Sequence, residues 1–121
     1  MTETMHQSEW IRVQYKGIEK QVPVNEVEYI EAEEWLSKLN TANATIVFAK
    51  RLGMLCSQLE PFGFVRCHKG FVVNLNKIKR LRSAEILLVS GKRIPVGRVY
   101  KKEIMEAYQQ FMKAIPCQMD A

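Results

Sequence analysis

A chain of 121 residues, 47% of them apolar, has enough sequence for one compact core and too little for a second full domain. Its formal charge of +5 is unevenly placed: residues 1–65 hold six Lys/Arg against nine Asp/Glu, while residues 66–102 hold eleven against the single Glu85. That excess makes a strong local field for a polyanion, nucleic acid being the usual one, although charge alone leaves a solvated basic surface equally open.

Residues 1–8 are polar and acidic and read as a flexible tail, without the basic and apolar regions of a secretory signal. No apolar run approaches the roughly 18 residues that span a bilayer, so the expected location is the cytoplasm. The folded domain is expected over residues 9–115. Ile11, Val13 and Tyr15 alternate with Arg12 and Gln14, and Lys16-Gly17 supplies a turn before Ile18 to Val24, the pattern of a β-hairpin. Val27 to Glu31 reads as a third strand, Ala32-Glu33-Glu34 as an acidic bend, and Trp35 to Leu39 as a fourth strand. Turn chemistry from Asn40 to Ala44 returns the chain through Thr45 to Phe48.

Leu52, Leu55, Cys56 and Leu59 fall at i, i+3, i+4 and i+7, one apolar face of a short helix that Pro61 ends. The pattern is again extended at Phe64–Cys67, Phe71–Val73, Ile78–Leu81 and Ile86–Val89, and Ser90-Gly91-Lys92 turns into Arg93–Val96. From Arg98 to Ala114 an amphipathic helix places Ile104, Tyr108, Phe111, Met112 and Ile115 on one side. Pro116 closes it, leaving 116–121 as a second tail. The fold class is mostly β, made of short strands and hairpins with one short internal helix and one C-terminal helix.

Catalytic chemistry has no constellation to work with. The odd set Cys56, Cys67 and Cys117 lacks a C-x-x-C pair and reads as reduced thiols. Cys67 and His68 are neighbours that point to opposite faces of a strand, and no second pair completes a metal site. Glu33 and Glu34 have no nucleophile beside them and read as solvated charges, and Gly91-Lys92 lacks the spacing of a P-loop. No cofactor and no enzymatic activity is expected.

The segment Phe64 to Ile78 is different in kind. Two apolar strand pieces flank a basic tip, His68-Lys69, with Gly70 permitting close backbone approach. Such a tip suits a groove, since Lys donates to guanine O6 and N7 and His exchanges hydrogen bonds with base edges. The run F-x-R-x-H-K-x-F-x-V-N-L-x-x-I formed here strongly resembles the signature of the LytTR family of bacterial DNA-binding domains. Ile94-Pro95-Val96-Gly97-Arg98-Val99-Tyr100-Lys101-Lys102 resembles that family's second signature, and Tyr29-Ile30-Glu31-Ala32 resembles the approach to its first loop. The likeness covers about residues 9–113.

The resemblance implies about ten short strands in small sheets and a bacterial transcription regulator that reads double-stranded DNA with loops. It implies one group of contacts in the loop before the Trp35 strand, a second at His68-Lys69 and a third at Arg98, entering successive major grooves and bending the duplex. Lys69 and Arg98 are then the leading base contacts, with Trp35 weaker. Lys50, Arg51, Lys101 and the Gly70 N–H are candidates for phosphate contact. The resemblance further implies DNA with repeated half-sites, a dimer on it, and control by either a receiver domain, as in a two-component response regulator, or a membrane partner.

Each residue has a structural alternative. Arg66 reads first as a scaffold residue pairing with Glu31 or Glu60, and Asn74 as the cap of the turn Leu75-Asn76-Lys77. For His68 the alternative to DNA contact is a place held by its own loop, and for Trp35 a place in the core. Gly70 and Gly97 stand where the family commonly has serine, and Glu33 and Glu34 bring negative charge to the first loop. A basic protein-interaction module and an RNA-binding module remain the alternatives for the whole chain.

Overall fold

The computed structural model describes residues 9–114. The two tails at 1–8 and 116–121, together with Ile115 and Pro116, lie outside the described residues. Strands β1 (Trp10–Tyr15) and β2 (Ile18–Pro23) close a hairpin over Lys16 and Gly17, both at positive φ. Paired positive φ values match the right-handed twist of the flanking strands, which is why a glycine stands there.

A second sheet has five antiparallel strands in the order β5-β4-β3-β7-β6: β3 (Tyr29–Glu33), β4 (Leu36–Asn40), β5 (Thr45–Phe48), β6 (Phe64–His68) and β7 (Phe71–Asn74). Helix α1 (Leu52–Leu59) joins β5 to β6. The third sheet holds β8 (Ile78–Leu81), β9 (Glu85–Leu88) and β10 (Arg93–Pro95), in the order β10-β9-β8. One turn of 3-10 helix, Arg98–Tyr100, leads into α2 (Lys101–Ala114).

The five-stranded sheet is the middle layer, because alternate residues on its strands point to two separate cores. Ile30, Leu39, Phe64 and Val72 face the hairpin and the Leu52-Leu55-Leu59 stripe of α1. Tyr29, Cys67 and Val73 face the other way, against Ile78, Ile86, Leu88, Ile94 and the Ile104 side of α2. The mostly β class, the internal helix and the C-terminal helix all appear as the sequence pattern required.

Two boundaries differ from expectation. Strand β3 starts two residues later, after a 3-10 turn at Val24–Glu26, and it continues through Ala32 and Glu33. The bend shrinks to Glu34 and Trp35, with Glu34 at φ 58, so Trp35 occupies the turn and β4 begins at Leu36. The helix expected from Arg98 likewise begins in α form only at Lys101.

Asn74 is 1% exposed and ties the layers together. Its Oδ1 accepts from the Asn76 N–H at 3.0 Å, capping the turn after β7, while its Nδ2 donates to the Val27 carbonyl at 2.8 Å. Asn74→Ala leaves that buried carbonyl and the turn's N–H without partners, and is expected to lower the unfolding free energy measured in urea by about 2–3 kcal/mol. Cys67 supplies a second expectation. Burial disfavours its thiolate and pushes the thiol up to about 12. A group whose folded pKa is raised stabilises the fold fully below its unfolded value, near 9, and loses that contribution as pH rises toward the folded one. Wild type is therefore expected to lose stability more steeply than Cys67→Val between about pH 9 and 12; parallel stability profiles would show that the thiol is not desolvated.

Candidate functional site

The two signature segments meet at one end of the five-stranded sheet. Strand β6 carries a bulge between Arg66 and His68, after which Lys69 and Gly70 turn the chain into β7. The bulge leaves Cys67 fully buried and His68 half-exposed. Arg66 reaches forward over this turn: its Nε donates to the His68 carbonyl at 3.1 Å and its Nη2 to the Lys69 carbonyl at 2.7 Å. The same guanidinium lies 5.8 Å from the centroid of the Tyr100 ring. Arg66 is thus a scaffold residue, but its partners are backbone carbonyls. The expected pairing with Glu31 or Glu60 is absent among the described ion pairs, since a planar fork satisfies two carbonyls that the tight turn leaves open.

His68 is held by its own loop. Its Nδ1 accepts from the Gly70 N–H at 3.0 Å, and its ring meets Phe71 edge-on at 5.5 Å. With Nδ1 accepting, the neutral ring carries its hydrogen on Nε2, so His68 offers a donor to any ligand. The Gly70 N–H, a candidate for phosphate contact, is engaged by the His68 ring, and the Gly70 carbonyl accepts from Ala32. Lys69 remains exposed at the apex.

Three backbone hydrogen bonds link this turn to its neighbours. Ala32 N donates to Gly70 O at 2.9 Å, joining the Glu34-Trp35 turn. Gly97 N donates to Cys67 O at 2.8 Å, bringing Arg98 beside His68. Val96 N donates to Ala84 O at 3.0 Å, adding the β8–β9 turn Arg82-Ser83-Ala84. Gly97 also packs closely, since a Cβ there would stand 3.2 Å from the Tyr100 ring and 3.5 Å from His68. Turns 34–35, 69–70, 97–98 and 82–84 therefore form one row, with Lys69 between Trp35 and Arg98.

Lys50 and Arg51 belong to the same end of the sheet, because β5 runs antiparallel to β4 and the Ser37 hydroxyl donates to Lys50 O at 2.7 Å. Lys50 Nζ donates to Gln58 at 3.2 Å, whereas Arg51 is exposed just before α1. Lys101 is exposed at the start of α2. Trp35 is 63% exposed, which overturns the reading of it as core. Glu33 is paired with Lys38 at 2.7 Å, so part of the negative charge at the first turn is offset locally.

Reading along the sequence missed Arg80 and Arg82. The available signal was the run Lys77, Lys79, Arg80, Arg82, but its facing depends on register. A second bulge, between Ile78 and Arg80, places Arg80 opposite Leu87, with Arg93 on the far side of the same residue.

Comparison with known proteins agrees with this fold. The family model described as the LytTr DNA-binding domain matches residues 19–109. The transcriptional regulatory protein YpdB of Escherichia coli K12 is 39% identical over 59 residues, which is 49% of this chain and 24% of that protein. A response regulatory protein of Vibrio cholerae is 31% identical over 90 residues, 70% of this chain and 37% of that one. The chain thus corresponds to well under half the length of these relatives. Among solved structures, the LytTr DNA-binding domain of a Bacillus cereus response regulator superposes with a TM-score of 0.71 at 25% identity, covering 81% of this chain and 94% of that one.

Arg66→Met removes both carbonyl contacts at the tip while leaving each core intact. Exchange of the Gly70 amide is expected to quicken about tenfold, with global stability in urea falling by no more than about 1.5 kcal/mol. Unchanged exchange at Gly70 would mean that the turn holds its shape without the guanidinium.

Proposed function

We propose that this chain, which belongs to the LytTR family of DNA-binding domains, binds double-stranded DNA in a sequence-specific manner through turns 34–35, 69–70 and 97–98 and so regulates transcription. The observation that carries the reading is the Gly97 N–Cys67 O bond, which seats Arg98 and the His68-Lys69 tip side by side on one end of a rigid sheet.

Magnitudes decide how a duplex meets this row. Strands lie about 4.8 Å apart, so the backbone distance from the Trp35 turn to Gly97 is roughly 17 Å. Successive major grooves are about 34 Å apart along a straight duplex, so three turns cannot each occupy a groove of their own. The outer two, at Trp35 and Arg98, take successive major grooves through the length of their side chains and a bend of the duplex toward the protein. Lys69, between them, meets base edges and phosphates at the intervening minor groove, and the His68 Nε2–H donates nearby.

Arg98 carries the sharpest specificity, since its fork can engage guanine O6 and N7 together. Arg51, Lys50 and Lys101 contact phosphates, which positions the duplex without reading it. The two ends of this arrangement fit repeated half-sites bound by two copies, the mode of binding that the LytTR resemblance implies. A receiver domain or a membrane partner would then set their occupancy.

Selection of bound duplexes from a random library at near-physiological salt tests this. An enriched motif is expected, and Arg98→Ala should lose information at one position, weakening the cognate site by about 1–3 kcal/mol. Arg51→Ala should weaken all sequences alike and flatten the salt slope by about 1. Recovery of no motif would leave a protein-interaction or RNA-binding module as the account of the basic face.

A further inference from the structure

We infer that the outer face of the three-stranded sheet is a second phosphate-binding surface, which holds the backbone of duplex DNA flanking the bases read at Arg98. This rests on the DNA-binding reading above and extends it by one element.

Arg80, Arg82, Glu85, Leu87 and Arg93 line a groove of about 270 Å³ on that face. The inner face of the same sheet is filled by Ile78, Ile86, Leu88 and Ile94, so side chains alternating with these are directed outward. Arg80 and Arg93 both stand directly opposite Leu87, one on each side, two strand spacings or about 10 Å apart. That facing is a product of the bulge at Lys79, which returns Arg80 to the outer face after buried Ile78. Glu85 pairs with Arg93, and among the described ion pairs none involves Arg80 or Arg82. The fold therefore gathers three guanidiniums about a single carboxylate, an arrangement that repels itself until an anion arrives.

Position identifies the anion. The turn 82–84 is bonded to Val96, next to Arg98, and is the next member of the row beyond the Arg98 segment. A duplex running along turns 34–35, 69–70 and 97–98 would continue over turn 82–84, which borders this groove through Arg82. Planar guanidiniums match phosphate oxygens two at a time. An acidic protein partner is disfavoured because the groove offers only one half-buried apolar side chain, Leu87, where a protein interface needs a buried apolar centre.

The test uses the whole chain and three duplexes bearing the motif from the library selection: the core site, and the core site lengthened by about ten base pairs on one flank or the other. One flank is expected to raise affinity about tenfold at near-physiological salt. Arg80→Ala with Arg82→Ala should abolish that gain and reduce the slope of log K against log salt by about 1.8, two phosphates' worth. The motif and the core-site affinity should not change. Glu85→Gln should tighten binding to the longer duplex, an effect that misfolding cannot produce. A flank gain that survives the double variant, or no gain on either flank, overturns the inference while leaving motif recognition standing. Failure to recover any motif from wild type overturns both.

Discussion

Three backbone hydrogen bonds between segments far apart in the chain set the geometry of the row of turns. Each joins the end of one hairpin to the side of another: Ala32 to Gly70, Gly97 to Cys67, and Val96 to Ala84. Backbone donors cannot change rotamer, so the spacing of the turns is fixed by the sheets themselves rather than by surface side chains. Exposed side chains at the apices can then be polar and long without loosening the frame beneath them. The division into two cores serves the same end, since each face of the middle sheet is anchored by its own layer.

Arg66 shows how the frame is finished at the tip. A turn that points polar carbonyls toward one another in a positively charged region would ordinarily be mobile. The guanidinium supplies two donors to those carbonyls and lays its plane near Tyr100, so the β6–β7 turn and the start of α2 share one cation. Ordering the turn in the free protein lowers the entropy lost when a ligand is bound. The same logic applies to His68, whose Nδ1 is committed to Gly70 and whose ring leans on Phe71.

Much of the fold was legible in the sequence. The hairpins followed from alternation and turn residues, and the α1 stripe from helical spacing, because those signals are local. The start of β3 was not, because Val27, Glu28, Tyr29 and Ile30 are all buried and offer no period-two frame. Pairing with β7 sets that frame, and pairing is a property of the sheet. For Trp35 the sequence left core open as an alternative because an aromatic residue packs readily, and the turn with Glu34 at positive φ carries it into solvent instead. The partners of Arg66 were hidden because carbonyl acceptors belong to every residue and leave no mark in a sequence. Arg80 and Arg82 were hidden by a bulge, which shifts facing by one residue without any composition change.

The contact between Gly97 and His68 bears on how such a domain changes over generations. Three positions, 68, 97 and 100, share one small volume, in which an added methyl at 97 already crowds the Tyr100 ring. A lineage that gains a side chain at 97 needs the Tyr100 ring to give way by a few tenths of an ångström. Lys69, Arg98 and Trp35, by contrast, project from the frame and can change without such a constraint.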